Sequence, residues 1–179
     1  MKLNKTQLMV ITSLMAALTC IATMVFHVPS PLKGYIHLGD GFVLLSGIIL
    51  GPLYGGAAAG IGSMLADLLL GYAEYAPATF IIKALAAILA ALIYHILLTK
   101  IKNKRIYFVP IIFAGIIANI IVTLGYFLFE STVLGYGIAS ASNIPANILQ
   151  GVFAIITCVI LLPVLSASPI IRQYMVHKA

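Results

Sequence analysis

Six apolar stretches, divided by short polar clusters, leave this chain few ways to fold. They run from about Leu8 to Phe26, Gly41 to Leu50, Ala57 to Gly71, Pro77 to Leu98, Phe108 to Leu128 and Asn143 to Leu165. Most approach the ~20 residues needed to cross ~30 Å of hydrocarbon. Apolar residues make up 63% of the 179, and charged residues only 8%, against roughly 25% in an ordinary soluble domain. A soluble fold of this size has no interior large enough for so many apolar side chains. That argues against a water-soluble enzyme, a disordered chain, a coiled coil and a disulfide scaffold. Trp is absent, so the nine Tyr are the candidate interfacial anchors. Cys20 and Cys158 sit inside apolar runs and carry no metal spacing.

The expectation is one all-α membrane domain over residues 1–179. Its six spanning helices fall at about 6–26, 39–51, 55–72, 77–99, 107–128 and 143–165. The second and third would form a helix of ~50 Å if continuous, too long for one crossing. Pro52 and its flanking glycines break it. The result is two short crossings or a re-entrant pair, and the chain returns to the side it left. HVPSPLKGYIHLGD and FESTVLGYGIASAS read as outer loops. Pro163 predicts a bend or an early stop in the last helix.

Charge sets the orientation. Lys2, Lys5, Lys100, Lys102, Lys104, Arg105, Arg172 and Lys178 are eight of the ten basic residues. They lie at the ends of apolar runs and share one side. Basic residues in short loops mark the cytoplasmic face, so both termini are expected there, in a multi-pass cell-membrane protein. The net charge of +6 follows from this asymmetry and does not point to nucleic acid. The acids, Asp40, Asp67, Glu74 and Glu130, fall at or near the outer face.

Ionisable groups at membrane depth are costly and mark function by default. Asp67 and Lys83 lie at comparable depth, roughly 8–9 Å below the outer ends of their helices. They either pair with each other or face a water-filled cavity that holds a polar ligand. A ribbon of small residues, Gly55, Ala59 and Ser63, turns Asp67 inward. Asn143, Asn147 and Gln150 share one face of the last helix. Set against lipid they would cost several kcal/mol, so they face protein or a cavity. Asn119 either joins them or makes one interhelical hydrogen bond. Asp40 is either a helix N-cap or a pocket residue. Tyr72 and Tyr75 are interface anchors or an aromatic wall. His27 and His37 flank the first outer loop and are expected in solvent.

In the first helix, Ser13 with Ala17 and Ala16 with Cys20 are small residues four apart. They serve packing within the bundle or docking of another membrane subunit. GxxxxGK[ST] and HExxH are both missing from the sequence, so neither a nucleotide cofactor nor a metal is expected. Ser63 follows GIG and formally allows an intramembrane hydrolase, but no histidine shares its depth.

Four pieces of the chain resemble a known family: GYIHLGD at 34–40, GP at 51–52, ADL at 66–68 and YAPATFIIK at 75–83. They are similar to the S components, the substrate-binding subunits of energy-coupling factor (ECF) vitamin transporters. Within these the chain looks nearest to the branch associated with hydroxymethylpyrimidine, pyridoxine or riboflavin. The likeness is good over residues 34–90 and elsewhere rests on length, span plan and charge layout. It implies a six-helix protein that binds one vitamin in an outward-facing pocket. Such a protein docks on a membrane scaffold subunit carrying two ATPase subunits and topples to release the vitamin inward. On this reading His27 to Leu38 is a lid, stiffened by Pro29 and Pro31. Asp67, Lys83, Asn143, Asn147, Gln150 and Tyr75 are the polar contributors beneath it, with Asn119 and Asp40 beside them. Ser13, Ala16, Ala17 and Cys20 form the docking face. A stand-alone carrier using Asp67 or Glu74 as its proton site is the competing reading, and a Ser63 hydrolase a more distant one.

Overall fold

The computed structural model describes residues 5–30, 32–101, 106–169 and 171. Lys2, Pro31, Lys102, Lys104, Arg105, Arg172 and Lys178 lie outside them. Helix α1 is Lys5–Val25, α2 is Asp40–Leu70, α3 is Ala76–Lys100, α4 is Phe108–Leu128 and α5 is Ile144–Ser166. Two short strands, β1 (His27–Pro29) and β2 (Tyr35–His37), stand between α1 and α2.

Among the described residues five helices are long and apolar enough to cross a membrane, and the second of them is broken in two where the sequence predicts a break. The expected helices 39–51 and 55–72 form the single element α2, which breaks at Gly51 (φ 76°, ψ −176°). Only glycine adopts that conformation readily. Pro52 then restarts the helix, so the break needs no loop residues. The two halves fold back on each other. A Cβ built on Gly55 would run into the backbone of Ser46 and Gly47, nine and eight residues earlier. A straight helix would hold those positions more than ~10 Å apart. The fold-back brings Asp40 and Asp67 to the same end of the molecule.

α2 is the central element. Ala58, Ala59 and Ala66 of α2 and Ala86, Ala87, Ala90 and Ala91 of α3 are all fully buried, and Gly47 of α2 lies against the Ala87 backbone of α3. Small side chains let the two backbones approach closely. The outward faces carry Val10, Leu14, Leu53, Ile81, Phe113, Ile160 and similar residues, which suits a lipid surround.

Both expected loops carry regular structure among the described residues. The first is an antiparallel ribbon pairing His27 with His37, Val28 with Ile36 and Pro29 with Tyr35. Gly34, at φ 121°, turns it. The second is a π-helical turn, Phe129–Val133, followed by a 3-10 helix, Gly137–Asn143. α5 continues through Pro163 to Ser166 rather than stopping early. Pro77 and Pro145 sit in the first turns of α3 and α5, where a missing N–H costs nothing.

Candidate functional site

The hydrophilic side chains converge beneath the β1–β2 ribbon, in two layers. The upper layer surrounds a small cavity lined by Tyr35 and His37 from the ribbon, Asp67, Tyr75, Thr79, Tyr126, Glu130, Asn143 and Asn147, among others. The Tyr35 hydroxyl donates to Asp67 Oδ1 (2.5 Å). Asp67 Oδ2 is buried, with no hydrogen-bond partner among the described residues. Asn143 Nδ2 donates to both oxygens of Glu130 at 3.0 Å, and its Oδ1 accepts from the Leu32 N–H. Tyr75 donates to the Lys33 carbonyl (2.8 Å). Thr79 and Tyr126 share a hydroxyl–hydroxyl bond. The Asn147 side chain lines the cavity and makes no hydrogen bond among the described residues. Tyr35, Tyr72, Tyr75, Tyr126 and Phe129 form a chain of ring contacts, with neighbouring centroids 4.9–6.4 Å apart.

The lower layer is a closed network. Lys83 is fully buried and donates to Asp40 Oδ1 at 2.6 Å. Its ammonium also lies 5.2 Å from the Tyr126 ring centre. Gln150 Nε2 donates to Asp40 Oδ2 (2.7 Å), and Gln150 Oε1 accepts from the His37 N–H (2.9 Å). His37 Nδ1 accepts from the Gly39 N–H (3.1 Å), which fixes the proton of the neutral ring on Nε2. Burial holds the imidazole pKa down to about 3, so His37 is uncharged at neutral pH. Each charge in this layer has a partner, as low-dielectric surroundings require.

Several expectations change. Lys83 pairs with Asp40, not Asp67, because the α2 fold-back sets the first turn of α2 against α3. Asp40 makes no side-chain cap; Gly39 precedes the helix and the Asp40 carboxylate turns inward. His37 is buried rather than solvated, while His27 is exposed as expected. Of the amide face, Asn143 and Asn147 reach the cavity, whereas Gln150 lies in the lower layer. Asn119 stands apart, bonded to the Ile148 carbonyl and Thr123. Asp40, Lys83, Gln150 and Asn119 do not line the cavity. Ser63 Oγ has no hydrogen-bond partner among the described residues, so it is not paired with a base.

Glu130, Tyr35, Tyr126 and Thr79 are cavity residues that the sequence reading passed over. A signal existed for Glu130. An acid at the end of α4 opposes the helix macrodipole, so it needs a specific partner, and Asn143 supplies one. At the rim, Lys33 and Glu74 form an exposed ion pair of 2.8 Å. Each stabilises the charge of the other, raising the lysine pKa and lowering that of the carboxyl.

The family model described as "ECF-type riboflavin transporter, S component" matches residues 3–167. The chain belongs to that family. A solved structure, described as the S component of a bacterial ECF transporter, superposes with a TM-score of 0.69 at 21% identity. The match covers 92% of this chain and 98% of that one, and it shows the shared fold. An uncharacterized Pyrococcus woesei protein from the gap 3′ region is 30% identical over 137 residues, 76% of this chain and 86% of that protein. The family is one of transporter subunits and not an enzyme class.

The docking face expected of this S component is reduced by its packing. Ala16 and Cys20 are buried, and the Ala16 carbonyl rests where a Cβ on Gly62 of α2 would stand. Those two residues belong to the bundle interior. Ser13 and Ala17 face outward. At the end opposite the ribbon, a shallow hollow of about 330 Å³ is lined by Tyr94, Tyr107, Leu162, Pro163 and Ser166. It lacks the convergent hydrogen-bonding groups of the ribbon-covered cavity.

Proposed function

We infer that this S component captures a flat heteroaromatic vitamin in the cavity beneath the β1–β2 ribbon and delivers it through an ATP-driven coupling module. The observation that carries the reading is Asp67, a buried carboxylate with one oxygen unpartnered on an aromatic-walled cavity. A buried unpaired acceptor costs roughly 1–3 kcal/mol, and a ligand donor removes that cost. The family description puts riboflavin first. Hydroxymethylpyrimidine and pyridoxine share its flat ring and hydrogen-bond donors.

The cavity encloses about 40 Å³, room for a few water molecules; small-molecule pockets usually measure about 300–1,000 Å³. Binding therefore requires the ribbon to lift and Tyr35 to leave Asp67. The ribbon is the lid, tied at its rim by the Lys33–Glu74 pair. Both termini lie in the cytoplasm and the ribbon faces outward, in keeping with the basic clusters of the sequence. Ser13 and Ala17 meet the membrane scaffold subunit, which brings two ATPase subunits, and toppling on that module turns the cavity inward.

The test is uptake of labelled riboflavin, pyridoxine and hydroxymethylpyrimidine into proteoliposomes, with and without added scaffold and ATPase subunits. Uptake of one of them only with the partners and ATP is expected. Ala17→Phe should abolish uptake while leaving binding in detergent unchanged. Uptake by this chain alone overturns the reading in favour of a secondary carrier.

A further inference from the structure

The charge of the cavity restricts its ligand further. Two acids, Asp67 and Glu130, line it, and no lysine or arginine does among the described residues. The nearest buried cation, Lys83, is committed to Asp40 and lies outside the lining. Lys33 is committed to Glu74 at the rim. The cavity histidine, His37, gives up its Nδ1 as an acceptor to Gly39 and carries no charge. Tyr35, Tyr75 and Tyr126 supply the remaining titratable groups, and none of these can be cationic.

Several donors are already committed, while the Asn147 amide is free among the described residues. Asn143 Nδ2 donates to Glu130, Tyr75 gives its proton to the Lys33 carbonyl, and Thr79 and Tyr126 share one hydroxyl–hydroxyl bond. When Tyr35 withdraws, Asp67 presents two acceptor oxygens side by side, with the Thr79 hydroxyl next to them. Such an edge suits a pair of adjacent N–H or O–H donors, as a ring-protonated aminopyrimidine or a vicinal diol offers. It opposes any anion, because like charges brought together across an interface cost several kcal/mol.

We propose that this S component takes only neutral or cationic forms of its vitamin, with paired donors on Asp67, and rejects phosphate esters and carboxylic acids. This rests on the vitamin-binding reading above. The experiment measures binding to the detergent-purified protein by calorimetry. The probes are riboflavin against riboflavin 5′-phosphate, pyridoxine against pyridoxine 5′-phosphate, and the carboxylates biotin and pantothenate.

At least one neutral vitamin should bind, with its phosphate at least about a hundredfold weaker and the carboxylates weaker still. Asp67→Asn should narrow the neutral-to-phosphate ratio by about tenfold or more. Glu130→Gln should narrow it as well, and serves alone if the Asp67 variant does not fold. A wild-type ratio below about tenfold, preferential binding of a carboxylate, or a ratio that neither variant narrows overturns the charge-selection proposal and leaves the transporter assignment standing. If no vitamin binds at all, the vitamin-binding reading fails, and this proposal falls with it.

Discussion

Lys83→Met removes one half of a buried ion pair and leaves the other half in place. Asp40 would keep the Gln150 amide at 2.7 Å but lose an ammonium at 2.6 Å. Its carboxylate is 6% exposed, so water cannot take over. Removing one partner of such a pair costs about 3–5 kcal/mol. For a chain of this length each kcal/mol shifts the unfolding midpoint by about 2–4 °C, so a fall of about 6–20 °C is expected. Asp40→Asn strands the fully buried ammonium of Lys83 and should fall as far. The double variant, Lys83→Met with Asp40→Asn, buries no charge and keeps an acceptor for Gln150. Its loss should be smaller than the sum of the single losses by about 2 kcal/mol or more. Cys20 and Cys158 are free and buried, so a maleimide dye that fluoresces on reaction with thiols reports unfolding directly in detergent. Additive losses would refute the coupling. A tenfold loss of vitamin affinity in a well-folded double variant would return Lys83 to the ligand contacts.

Acidification probes the lower layer through His37. Burial is the main cause of its lowered pKa, with Lys83 and His27 adding to the effect and Asp40 opposing it. The unfolded chain takes up a proton near pH 6.5 that the folded ring refuses down to about pH 3. Stability is therefore complete above pH 6.5 and falls by about 1.4 kcal/mol per unit between those limits. Thermal midpoints followed by tyrosine fluorescence from pH 7 to pH 5 should show the slope, and His37→Gln should flatten it; an unchanged slope would contradict the assignment. Gly51→Ala forces a side chain into φ 76° and should cost about 1–3 kcal/mol, read in the same thermal assay. No loss would mean that the break in α2 does not depend on glycine.

The membrane setting, the helix positions and the convergence of polar groups at one end were legible in the sequence. Each is a local or cumulative property. Twenty apolar residues exclude soluble folds wherever they sit, and a Gly-Pro pair breaks a helix whatever surrounds it. Helix faces were also readable, which is why Asn143 and Asn147 come out on a shared surface. The ribbon was harder, since three-residue strands carry too little alternation to register.

Partner choice was not legible. Asp67 and Asp40 are both acids at similar depth, and only the close fold-back at Gly51 decides which of them meets Lys83. That reversal sets Asp40 against α3 and leaves Asp67 beneath Tyr35. The same reversal presses Ala16 against Gly62 and leaves Cys20 buried, hiding half of a pattern that looked like a docking face. Sequence by itself determined that this chain must live in lipid and gather its few polar groups away from it. The tertiary structure decided which of those groups satisfy one another and which carboxylate oxygen is left without a partner among the described residues. Hydrogen bonds and ion pairs act over about 3 Å, and separation along the chain says nothing about distances that short.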